Sequence, residues 1–208
     1  MAKIGIYGGS FNPVHFGHVG LAKWVIENTD LDELWLLVSP LNPLKAGLTA
    51  NSESDLTSNF QQRLAAVREA VKDIPKVKAS DFEFSLPRPS YTANTLRALQ
   101  KTFPEHEFTL VIGEDNLAIF TQWREYEYIL QNFRIFVYPR HDSLSGEIGL
   151  SAKNEVNRAL VAKKRSFSKT VFQAKPVKEL CFFSEAPYFD ISSTQLRAQN
   201  QKKAQIDH

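Results

Sequence analysis

The sequence predicts an α/β chain built on a doubly wound parallel sheet with helices on both faces. Three observations carry that expectation. Apolar runs without polar alternation, Ile4–Tyr7, Leu34–Val38, Phe108–Ile112 and Phe133–Val137, read as strands buried on both sides. Stretches with helical apolar spacing separate them, which is the alternation of a parallel sheet. A glycine-rich turn, Gly8-Gly9-Ser10-Phe11, joins the first strand to the first helix, and that is where such folds hold anions on backbone N–H groups and a helix N-terminus.

Taken in order, Ile4 to Tyr7 is the first strand and Leu21 to Ile26 lies in the first helix. Leu34 to Val38 is the second strand, and it ends at Ser39-Pro40. A polar loop is expected from there through about Ser58, its part from Thr49 rich in Ser, Thr and Asn and expected to be mobile. Phe60, Leu64, Val67, Ala70 and Val71 share one face of the next helix. Val77 to Phe84 holds a short strand. Tyr91 to Phe103 reads as a helix with Leu96 and Leu99 as its apolar stripe. Phe108 to Ile112 is a central strand stopped by Gly113, Leu117 to Leu130 is helical in parts, and Phe133 to Val137 is the next strand. Ser143 to Lys178 is the least regular stretch, with a basic helix over Asn154 to Lys164. Leu180 to Phe183 forms the last strand, Ser192 opens the last helix, and 198–208 is a polar tail expected to fray. Ligands of such sheets bind beyond the carboxyl ends of the strands. The Gly8 turn, the loop carrying Lys45, Gly113 and Arg140 each follow a strand, so all four are expected to face one crevice.

The 208 residues suit a single domain over 1–208 with a core of its own. With 25 basic and 23 acidic side chains, the net charge of +2 gives no broad basic surface for nucleic acid or membrane. No apolar stretch approaches the ~18 residues that span a bilayer. The lone cysteine, Cys181, excludes an internal disulfide and suits a reducing, cytoplasmic setting. The first strand starts at once, which leaves no room for a signal peptide.

His15 and His18, three apart after the glycine turn, fall on one face of the first helical turn. With the turn's N–H groups they make a nest of donors for a polyphosphate. The turn is neither G-x-x-x-x-G-K-[ST] nor G-x-G-x-x-G. A second motif, Ile191-Ser192-Ser193-Thr194-Gln195-Leu196-Arg197, has capping-box spacing between Ser192 and Gln195. A helix start of this kind also binds anions, and Arg197 one turn on is a planar double donor. The histidine pair lacks third and fourth ligands at zinc spacing.

The first turn resembles that of the H-x-G-H nucleotidyltransferases. The second motif and the segments between make the chain similar to the nicotinate-nucleotide adenylyltransferase family. Those segments are Asn42-Pro43-Leu44-Lys45, Pro87-Arg88-Pro89-Ser90-Tyr91-Thr92, and Ile112-Gly113-Glu114-Asp115 followed by Trp123. The resemblance covers roughly Lys3 to Val137 and Phe183 to Arg197. It implies a Rossmann-like fold and transfer of an adenylyl group from ATP to nicotinate mononucleotide, with Mg²⁺ carried mainly by the substrate phosphates. It implies that His15, His18, Lys45 and Arg197 act on the phosphates. The ATP site would add Gly8, Gly9, Ser10, Phe11, Gly113, Asp115, Arg140, Ile191, Ser192, Ser193 and Thr194. The pyridine nucleotide would meet Lys45, Thr92, Asp115, Trp123 and Arg124. A phosphate monoester is largely dianionic at neutral pH and needs no general base to attack, which suits the absence of a Ser-His-Asp or Cys-His pattern. The chain departs from the family at Asn12, at Arg124, across 143–178, and in its polar end. Arg124 stands where an aromatic residue is frequent, and a guanidinium there favours an acid over an amide. A sister transferase acting on another phosphate acceptor, and a nucleotide-binding protein without turnover, remain alternatives; a homo-oligomer is left open.

Overall fold

The computed structural model describes residues 1–40, 53–139, 178–183, 185–187, 193 and 196, with 53–58 described by backbone alone. Strand β1 (Lys3–Gly9) leads into helix α1 (Phe16–Asn28), β2 (Glu33–Val38), α2 (Glu53–Val71) and β3 (Val77–Ser80). A 3₁₀ turn (Phe82–Ser85) precedes α3 (Thr92–Thr102), β4 (Glu107–Gly113) and α4 (Glu114–Ala118). A second 3₁₀ turn (Phe120–Gln122), α5 (Tyr126–Asn132), β5 (Arg134–Tyr138) and β6 (Glu179–Phe182) follow.

The six strands form one sheet in the order β3-β2-β1-β4-β5-β6, every neighbouring pair parallel. The chain winds outward from β1 to β3, then crosses back to β4 and winds the other way, so direction reverses between β1 and β4. A doubly wound sheet opens a crevice at that switch point, beyond the strand ends. Register sets the ends level there: Gly8 pairs with Leu37, Gly9 with Val38, and Gly113 with Tyr138.

Alternate residues of each strand feed two cores. On one face Tyr7, Leu34, Leu36 and Val38 meet Leu21 and Val25 of α1 and Phe60, Leu64 and Val67 of α2. On the other, Ile4, Ile6, Leu37, Leu110 and Ile112 meet Ala93, Leu96 and Leu99 of α3 and Ile129 and Leu130 of α5. Burial on both faces is why the strands read as unbroken apolar runs.

Every strand anticipated from sequence is present, and the ends of β1, β2, β4, β5 and β6 shift by no more than two residues. One local expectation is corrected. Helix α2 starts at Glu53, inside the stretch read as loop through Ser58. Ser and Asn disfavour helix, but a helix already anchored by Phe60, Leu64 and Val67 propagates backward at little cost. The short strand expected within Val77 to Phe84 is Val77–Ser80, and a 3₁₀ turn takes Phe82–Ser85. The basic helix over Asn154 to Lys164 lies outside the described residues. Ser193 and Leu196 are both helical, as the C-terminal motif predicts.

At the far end of the sheet from the crevice, Asp30 joins the starts of three strands. It pairs with Lys3 at 2.6 Å and Arg134 at 2.9 Å, and Arg134 reaches Glu179 at 3.1 Å. Hydrogen bonds from Arg134 and Lys3 hold the Asp30 carboxyl far below the usual carboxylate range. Among the described residues no helix is long and apolar enough to cross a membrane.

Candidate active site

A cavity of about 420 Å³ lies at the switch point. The end of β1 and its turn supply Gly8, Gly9, Ser10 and Phe11, and the end of β4 supplies Gly113 and then Asp115. Ser39 follows β2, Thr92 opens α3, and Trp123 with Arg124 follows the second 3₁₀ turn; His18, Tyr138 and Ser193 complete the arc.

The glycine turn is shaped by what its glycines leave free. A Cβ on Gly9 would press on the Phe11 ring at 3.1 Å, whereas a Cβ on Gly8 would meet nothing within 4 Å. Gly8 thus keeps its backbone bare on the cavity wall. Phe11 adopts a left-handed φ of 44°, unusual for a bulky residue. Burial to 2% exposure and edge-on contacts to Tyr7 at 5.6 Å and His18 at 5.0 Å hold it there.

His15 caps α1 in an extended conformation, and its N–H donates to His18 Nδ1 at 3.2 Å. Because Nδ1 accepts, neutral His18 carries its proton on Nε2. The two imidazoles lie against each other with centroids 3.7 Å apart and planes tilted by 34°. His18 reaches the cavity wall, and His15 backs it.

The second predicted motif meets the first. Ser193 donates through Oγ to the Pro13 carbonyl at 2.9 Å, across 180 residues of sequence. On the opposite wall, α3 begins at Thr92 after Tyr91, whose side chain makes no cap hydrogen bond. The Arg124 guanidinium lies over the Tyr91 ring at 4.9 Å. Trp123 packs against Phe120 at 5.1 Å and is half-buried. Asp115 sits in the first turn of α4, where a carboxylate suits the helix dipole, and it also faces the cavity.

The structure therefore gathers Gly8, Gly9, Ser10, Phe11, His18, Thr92, Gly113, Asp115, Trp123, Arg124 and Ser193 around one cavity, with His15 one ring behind. Lys45, Arg140, Ile191, Ser192, Thr194 and Arg197 lie outside the described residues.

Sequence reading missed a buried polar network whose Ser39, Glu83 and Thr95 line the cavity and whose Arg63 stands behind it. Ser39 N–H donates to the Gly9 carbonyl at 2.9 Å and its Oγ donates to Glu83 at 2.6 Å. Glu83 is 5% exposed and also accepts from Thr95 at 2.8 Å. Burial pushes the Glu83 carboxyl above the usual glutamate range, and the two hydroxyl donors offset part of that rise. Arg63 of α2 is 8% exposed and donates to the carbonyls of Ser10 at 2.6 Å and Ser39 at 2.9 Å. Both charged groups had a signal in the sequence. Arg63 stands on the apolar face of α2, three residues after Phe60, and Glu83 stands between Phe82 and Phe84.

The cytidylyltransferase-like family model matches residues 6–199. A relative from Flavobacterium psychrophilum is 51% identical over 138 residues, 66% of this chain and 68% of that protein. One from Bacteroides thetaiotaomicron is 49% identical over 148 residues, 71% of this chain and 70% of that protein. Both carry the name "Probable nicotinate-nucleotide adenylyltransferase". The Plasmodium falciparum nicotinic acid mononucleotide adenylyltransferase complexed with NaAD shares the fold, with a TM-score of 0.60 over 95% of this chain and 83% of that one at 14% identity. The chain belongs to the cytidylyltransferase-like family, among its nicotinate-nucleotide adenylyltransferases.

Proposed function

We propose that this chain transfers the adenylyl group of ATP to nicotinate mononucleotide, giving deamido-NAD and pyrophosphate, as a step of NAD biosynthesis. The observation that carries this reading is the meeting of the glycine turn with the Ser193 segment on one wall of the cavity, opposite Thr92, Trp123 and Arg124.

The substrate brings its own nucleophile. A phosphate monoester has its second pKa near ~6, so its oxygen attacks without a general base. The oxygen bonds to the α-phosphorus of ATP, the bond from that phosphorus to the bridging oxygen breaks, and pyrophosphate leaves with the electron pair. The protein's task is alignment and stabilisation of charge on the phosphate oxygens. The His18 Nε2–H and the N–H groups of the Gly8–Phe11 turn take the phosphates that depart, with Ser193 nearby. Asp115 accepts from ribose hydroxyls, and Trp123 offers a face to the pyridine ring. The N–H groups in the first turn of α3 and the Arg124 guanidinium, both on the cavity, are the donors assigned to a carboxylate on that ring. Lys45, Arg140 and Arg197 are assigned to the phosphates by family resemblance. Mg²⁺ would enter with the triphosphate. Asp115 is exposed to the cavity, and among the described residues no three His, Cys, Asp or Glu side chains cluster. That donor set suits an ion held chiefly by phosphates and water. A cytoplasmic setting fits this metabolic role and the single cysteine.

The test is pyrophosphate release with ATP and Mg²⁺, comparing nicotinate mononucleotide with its amide and repeating the pair with Arg124→Ala. Release with the acid well above the amide is expected. The substitution is expected to narrow that ratio roughly tenfold, the worth of one charge-assisted hydrogen bond. Release only with a different phosphate acceptor would make the chain a sister transferase. ATP binding without any release would make it a binding protein.

A further inference from the structure

Arg63 is a buried cation whose hydrogen bonds, among the described residues, all go to neutral oxygens. Nε donates to Asn59 Oδ1 at 2.8 Å, Nη1 to the carbonyls of Ser10 at 2.6 Å and Ser39 at 2.9 Å, and Nη2 to the Pro40 carbonyl at 3.4 Å. A buried charge without a carboxylate partner is costly, and a neutral donor would satisfy the same carbonyls without that cost. A stability role alone is therefore a weak account of it.

Its partners suggest another. The Gly9 and Ser10 carbonyls are held in succession, the first by Ser39 N–H at 2.9 Å and the second by Arg63. In a trans peptide the C=O and the next N–H point in opposite directions. Fixing these two carbonyls therefore fixes the Ser10 and Phe11 N–H groups, aimed away from β2 and Arg63. Successive N–H groups beside a left-handed residue form an anion-binding concavity, and Phe11 is that residue here. Arg63 also grips both sides of the seam between the β1 turn and the end of β2, and it does so from behind the cavity wall.

We propose that Arg63 is a positioning residue for the transfer: its guanidinium clamps the Ser10 and Ser39 carbonyls together and so holds the turn's N–H donors on the triphosphate. The inference rests on the reading that the triphosphate occupies that turn. Lysine cannot reproduce the clamp: Nη1 is aimed at both carbonyls while Nε and Nη2 are anchored on Asn59 and the Pro40 carbonyl, and an ammonium carries no such additional donors to orient it.

The experiment combines ATP titration calorimetry with steady-state kinetics on the wild type, Arg63→Lys, Arg63→Met and Arg63→Ala. In all three variants the KM and Kd for ATP are expected to rise about tenfold or more, since small misplacements of binding groups are expensive. The KM for nicotinate mononucleotide should stay within about twofold, because the hydrogen bonds of Arg63 among the described residues go to Asn59, Ser10, Ser39 and Pro40 and none goes to α3. Millimolar methylguanidinium should restore ATP affinity to Arg63→Ala. If instead kcat falls with the folded fraction while both KM values hold, Arg63 is structural only and the proposal fails. If Arg63→Met does not fold, Arg63→Lys decides, since it keeps the charge and most of the length. ATP binding that weakens on substitution, in a wild type that releases no pyrophosphate with nicotinate mononucleotide, sinks the transfer reading and supports the clamp. Full pyrophosphate release with unchanged ATP affinity in the variants does the reverse.

Discussion

His18 is fixed from two directions before any ligand arrives. The His15 N–H occupies its Nδ1, and its ring is bounded by Phe11 at 5.0 Å and His15 at 3.7 Å. Nε2, which carries the proton when Nδ1 accepts, is the donor this arrangement aims, and an aimed donor is what phosphate transfer needs when charge builds on the departing oxygens. His18→Ala is expected to lower kcat about a hundredfold, near 3 kcal/mol by comparison with other preorganised donors, with little change in melting temperature. Pyrophosphate release at saturating substrates measures it, and near-full turnover would remove His18 from this role. Spacing alone placed His15 and His18 on one helical turn. It could not say that only His18 reaches the wall, because that depends on the cap geometry and on where the Phe11 ring packs.

The elements were readable where local periodicity decides them. β1, β2, β4 and β5 are apolar runs, and α3 has Leu96 and Leu99 three positions apart on one face, enough to mark its buried stripe. The start of α2 and the 3₁₀ turn at Phe82–Ser85 were not readable, because packing of Phe60 against Phe84, 4.6 Å apart and stacked, overrides the propensities of the flanking residues. Helix α3 links core to site: Leu96 is fully buried, and Tyr91 and Thr92 at its start line the cavity. Leu96→Ala should cost roughly 3 kcal/mol in urea unfolding through the lost contacts and the void left behind. Because it loosens the helix that carries Thr92, the same change should raise the KM for the mononucleotide more than that for ATP. Equal effects on both would show that α3 does not separately position the acceptor side.

At the scale of the whole molecule, charge and chemistry lie at opposite ends of the sheet. Asp30, Lys3, Arg134 and Glu179 tie the amino ends of β1, β5 and β6, and the cavity opens beyond the carboxyl ends. Asp30 ionises more readily folded than unfolded, so its contribution is present above the unfolded carboxyl pKa near ~4 and is lost as pH falls below it. Its side chain is 48% exposed, which limits the effect to about 1 kcal/mol. Asp30→Asn should lower the melting temperature by roughly 2–4 °C at pH 7. The difference should close as the pH falls below about 3 and narrow in strong salt, with kinetics unchanged. A gap that persists in acid would assign the loss to packing. By itself, then, the sequence determined the strands, the anion-binding turn, the histidine pair and the second motif, since each rests on residues within a turn or two of one another. Tertiary structure alone decided the strand order that makes β1 and β4 neighbours, the contact of Ser193 with Pro13, and the clamp that Arg63 places on Ser10 across 53 residues. Those depend on which buried surfaces meet, and nothing in local periodicity encodes the partner of a distant carbonyl.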